Sequence, residues 1–132
     1  MTNWAQAIAA DLSAVVENIA IYSNVDPTRE FNGATSIEVN VNSVERVPLI
    51  SGGAFVDYNV VIACRALTFD AAAALAVDVK DKVATIIDAL VADNSIVSGV
   101  LTSLEVTPDL RGITEGESFY GVINLTLTEK EL

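Results

Sequence analysis

Apolar residues recur at three- and four-residue spacing from the start of the chain. Trp4, Ile8, Leu12, Val15, Ile19 and Tyr22 form one stripe, with Gln6, Asp11, Ser13, Glu17 and Asn18 elsewhere. This period predicts an amphipathic helix over 3–22, capped by Asn3 or Thr2 and ended in "SNVDPTRE", where Pro27 blocks continuation. From Thr35 the period drops to two: Ile37, Val39 and Val41 alternate with Glu38, Asn40 and Asn42, and the alternation carries on through Ser43, Glu45 and Val47 to Pro48. Beyond Ser51-Gly52-Gly53 a second strand sets Val56, Tyr58, Val60, Ile62, Cys64 and Ala66 on one side. Asp57, Asn59, Val61, Ala63 and Arg65 fall on the other. Two such strands around a glycine pair predict a long hairpin.

The second half repeats this order. Phe69 to Ala92 carries the stripe Ala72, Ala76, Val79, Val83, Ile86 and Leu90, which predicts a helix with Thr68 or Asp70 as its cap. Its small residues, Ala71 to Ala74, fit helix propensity and ordinary packing on a sheet. Asn94 and Gly99 break the pattern. Val100, Thr102, Leu104 and Val106 predict a third strand stopping near Pro108, followed by the polar loop "PDLRGITEGE". In the last strand Phe119, Ile123, Leu125 and Leu127 point inward, while Tyr120, Asn124, Thr126 and Thr128 point out. The charged tail "EKEL" is expected to fray. Helix, hairpin, helix, hairpin is the order of an α+β domain over 1–132: one mostly antiparallel sheet, a long hairpin, and two helices packed on one face.

Composition narrows the chemistry. The 132 residues contain no histidine and one cysteine, so Ser-His and Cys-His nucleophilic pairs, ordinary zinc sites and internal disulfides are all excluded. Cys64, inside "VVIACR", reads as a small buried hydrophobe. Eighteen acidic residues against seven basic ones give a net charge of −11, which opposes binding to nucleic-acid phosphates and to anionic membranes. No apolar run reaches the roughly 20 residues that span a bilayer. With no Lys or Arg before Arg29, no basic leader is predicted, and the cytoplasm is the expected place of synthesis.

The carboxylates form no persuasive catalytic pair. Asp78, Asp81 and Asp88 have the spacing of a solvated helix face, and Asp109, Glu115 and Glu117 lack the ligand alternation of a calcium loop. "SGG" has no following lysine or helix to make a phosphate cradle. A non-enzymatic protein without metal or cofactor is expected. Two features remain. Leu49 and Ile50 put aliphatic side chains at a hairpin tip, where they either fold back over their own sheet or dock on a partner. The arginines are few: Arg46 and Arg65 in the hairpin and Arg111 in the loop suit either intersubunit pairs or intramolecular pairs with Glu38, Glu45 or Asp57. For Arg46 the intramolecular pair or plain exposure is the expectation.

One resemblance gathers these features. "IYSNVDP" after a first helix, a long hairpin, and then Tyr58, Val60, Ile62 and Arg65 leading into the Ala-rich helix 72–90 resemble the tail-terminator (tail-completion) proteins of long-tailed bacteriophages. The similarity runs from about Ala7 to Leu127 and rests chiefly on apolar patterning. It implies a structural virion subunit forming a ring, typically a hexamer. Such a ring caps the tail-tube protein, ends tube growth and joins the head-completion or neck proteins, and DNA passes through its acidic lumen without specific binding. On that reading Pro48, Leu49, Ile50, Phe55, Arg65 and Arg111 are the candidate contact residues. A head-tail adaptor, a tube subunit, and a small-ligand-binding regulatory α+β domain are the alternatives.

Overall fold

The computed structural model describes residues 2–24, 35–109 and 118–131. The elements are α1 (Trp4–Val15), β1 (Ala20–Ser23), β2 (Ser36–Pro48), β3 (Ala54–Ala66), α2 (Phe69–Ala92), β4 (Ser98–Asp109) and β5 (Ser118–Glu131). They build a single five-stranded sheet in the order β1-β2-β3-β5-β4. The pair β1–β2 is parallel and the other three pairs are antiparallel. Both helices pack on one face, where Trp4, Ile8 and Leu12 of α1 and Val79, Val83 and Ile87 of α2 share a core with Ile37, Val39, Val60, Ile62, Ile123 and Leu125. The α+β architecture expected from the element order is therefore present.

The first helix is shorter than its stripe. It ends at Val15, Val16 turns extended, and Asn18 adopts a left-handed φ of 63°. Ile19 and Ile21 then pack on the core from a short strand. Spacing alone could not separate the two outcomes. The β-branched run from Val15 and the pairing of Ala20–Ser23 with Ser36–Val39 decide for the strand. Helix α2 matches its predicted span. The Thr68 side chain accepts from the Ala71 N–H at the start. At the end Asn94 takes a left-handed φ of 64°, and the Asn94 and Ser95 N–H groups bond back to the Val91 and Leu90 carbonyls. That 6→1 and 5→2 pattern is a Schellman cap, with Asn in the place glycine usually fills.

Small residues set the distance between α2 and the sheet. A Cβ on Gly121 would lie 2.5 Å from the Ala76 Cβ and 2.7 Å from the Ala72 carbonyl oxygen, so the helix backbone rests almost directly on β5. The alanine run is explained by this contact within the chain.

Two irregularities cross the sheet at nearly one level. Val41 pairs with Val60 and Ser43 with Asn59, leaving Asn42 as an extra residue in β2. Leu101 pairs with Leu125 and Ser103 with Asn124, leaving Thr102 extra in β4. Each bulge reverses side-chain parity. The predicted continuation of alternation through Ser43, Glu45 and Val47 is thus corrected: past Asn42 it is Val44, opposite Tyr58, that faces the helix side. In β4, likewise, Leu104 and Val106 keep that side while Val100, opposite Thr126, turns to the other. The tail does not fray as expected. Glu129, Lys130 and Glu131 pair with Val56, Phe55 and Ala54, and Glu129 accepts from the Tyr58 hydroxyl (3.2 Å) and the Thr2 hydroxyl (2.9 Å). The turn around Pro27 and the 110–117 loop, including Arg111, lie outside the described residues.

Candidate functional site: the hairpin tip

The β2–β3 ladder runs unbroken, apart from the Asn42 bulge, from Ser36↔Arg65 out to Pro48↔Ala54. Among the described residues, strand β2 has no second neighbour beyond residue 39, because β1 pairs only with 36–39. Its outer half is therefore an edge of the described sheet. Glu45, Arg46 and Pro48 on that edge oppose casual strand pairing: charges disfavour it, and Pro48 has no N–H to offer.

The turn itself is built, not loose. The Leu49 N–H donates to the Gly53 carbonyl (3.0 Å) and the Gly52 N–H to the Leu49 carbonyl (3.1 Å). Gly52 and Gly53 adopt φ of 94° and 77°, a region closed to most side chains, which explains the glycine pair. Ile50 sits at the apex with 109% of its reference surface exposed, while the next most exposed large apolar residue among those described, Val100, reaches 56%. Leu49 is half-buried, so the two aliphatics divide: Leu49 is partly covered, and Ile50 projects. Phe55 is also half-buried, opposite Val47 and Lys130, and Pro48 is exposed.

Pro48, Leu49, Ile50 and Phe55 are brought together at the tip. Arg65 is not. It pairs with Ser36 at the opposite end of the hairpin, roughly 36 Å away at 3.3 Å per residue. Its side chain is 1% exposed, lies 3.6 Å from Glu38, itself 2% exposed, and stacks with its guanidinium carbon 4.6 Å from the Tyr120 ring centre. The intramolecular alternative holds for Arg65, and a contact role for it is corrected: a side chain this buried presents nothing to a partner. Arg46 pairs across the sheet with Glu131 (3.5 Å), with the two side chains 50% and 43% exposed, so its partner is none of the three carboxylates expected from the sequence.

Sequence reasoning missed a second feature, a groove of about 320 Å³ between α2 and β4, the last strand of the described sheet. Its floor is Val83, Ala84, Ile87, Gly99 and Leu101. Lys80 and Asp88, two turns apart on α2, stand at its ends. Gly99 lets α2 pack close to β4 here: a Cβ there would lie 2.6 Å from an Ile87 methyl. The available signal was Gly99 next to Val100 and Leu101, opposite a helix face reading Lys80, Ala84, Asp88.

Cys64 is fully buried, and burial with Asp78 nearby pushes its thiol up to about 12. Among the described residues no three Cys, Asp or Glu side chains come together in a way that would hold a metal ion, and no helix is long and apolar enough to cross a membrane. No protein-family model and no curated protein sequence matches this chain.

Proposed function

We propose that this chain is a structural, non-catalytic subunit of a phage tail, of the tail-terminator kind, working as a ring on the end of the tail tube beneath the neck proteins. The observation that carries the reading is the hairpin tip: a hydrogen-bonded turn at the end of a thirteen-residue strand pair holds Ile50 wholly in water. Exposing a rigid aliphatic knob lowers solubility and adds nothing to the core, so its use lies in contact with another subunit. The charge of −11 suits a ring whose lumen lets DNA pass without adhering.

Mass by light scattering, on the protein alone and after mixing with isolated tail tubes, tests this. Formation of a ring, free or tube-bound, supports the proposal if Ile50→Asp abolishes it while the circular dichroism spectrum is unchanged. A monomer or dimer indifferent to tubes would refute it.

A further inference from the structure

We infer that the groove between α2 and β4 is the socket for the hairpin tip of a second copy, in a head-to-tail contact that seats Ile50 over Ala84, Gly99 and Leu101. The inference rests on the ring reading above and adds to it the receiving surface. Two surface features lead here. The groove is apolar and holds about 320 Å³, the space of roughly ten waters, which suits a branched aliphatic side chain and part of its turn. Ile50 is the most exposed large apolar side chain among the described residues, and its turn is already fixed, so docking costs little conformational entropy.

The tip cannot reach its own groove. Strand β5 lies between the hairpin and β4, and the ladder ties the hairpin to β5 as far as Ala54↔Glu131. Knob and socket therefore belong to different edges of one molecule, and a contact between unlike patches propagates from copy to copy until it closes a ring or grows a filament.

Charge places the second copy. Lys80 makes no ion pair among the described residues, although acidic residues outnumber basic ones 18 to 7. Flanking the tip, Arg46 and Glu131 form a half-exposed pair open to exchange. A docked tip sets Glu131 toward Lys80 and Arg46 toward Asp88, matching opposite charges at both ends of the groove.

Cross-linking tests the contact directly. Ile50→Cys and Leu101→Cys are made singly in the full chain, where the buried Cys64 does not compete. Oxidising an equimolar mixture is expected to give a disulfide-linked heterodimer as the main product, and the double variant is expected to give a ladder of oligomers. Adding Lys80→Glu should lower the heterodimer yield several-fold, and Glu131→Lys on the other member should restore it. Ile50→Cys joining only to itself, or no product between the two variants, would overturn the socket. Failure there with a ring still seen by light scattering leaves the ring reading standing. Failure of both removes both.

Discussion

The two halves of the β2–β3 hairpin share one hydrogen-bond ladder and differ in almost everything else. At the base, Ser36 to Val39 are all buried, on both faces of the sheet, and Glu38 and Arg65 carry their charges inside. In the arm beyond Asn42, every β2 residue to Pro48 is exposed, and the charged pair is the open Arg46–Glu131. Pairing of the backbone thus says little about where stability resides. The base is buried on both strands; in the arm β3 still buries Ala54, Val56 and Tyr58, and only the β2 strand leaves its side chains free for a partner.

If this division is right, substitutions at the base should cost far more than those in the arm. Glu38→Ala removes the carboxylate 3.6 Å from the buried Arg65 guanidinium and is expected to cost about 3–5 kcal/mol in urea unfolding, most of it recovered by replacing both residues with apolar ones. Gly121→Ala, beside Cys64 at the base, should cost about 1–3 kcal/mol, because α2 must lift off β5. In the arm, Gly52→Ala meets no neighbour within 4 Å and suffers only its left-handed φ, about 1–2 kcal/mol.

Alkali probes the base again. Folding raises the Cys64 pKa from 9.0 to about 12, so the neutral thiol is favoured in the fold. Its contribution is whole below pH 9 and is lost as pH climbs toward 12; Cys64→Ala should flatten the fall in unfolding midpoint across that window. The smallest effect on stability is expected from Ile50→Asp, within about 0.5 kcal/mol, alongside complete loss of self-association by light scattering. A Gly52→Ala variant less stable than Glu38→Ala would break the comparison.

Much of this was legible in the sequence where one period ruled. The faces of β3 and β5, the span of α2 with its Thr68 cap, and the apolar tip before the glycine pair all follow from spacing and turn chemistry. Where two readings shared a spacing, the sequence could not choose: Val15, Ile19 and Tyr22 fit a helical stripe, yet Ala20–Ser23 is a strand because β2 was there to pair with. Asn42 and Thr102 were hidden as bulges, since a polar residue suits either side of a half-wet strand. For Arg65 the sequence offered Glu38 among three carboxylates and left an intersubunit pair equally open, and the α2–β4 groove joins separate elements whose facing residues only packing decides.

Asn42 also has a genetic meaning. Removing that one codon would leave every partner on β3 in place, Ser43 with Asn59 and Val44 with Tyr58, so that the strand lost its bulge and kept both faces of the arm. A single in-frame deletion there straightens the hairpin and leaves unchanged which charges the arm offers to its surroundings, whereas one anywhere from Ser43 to Pro48 shifts every pairing between itself and the turn.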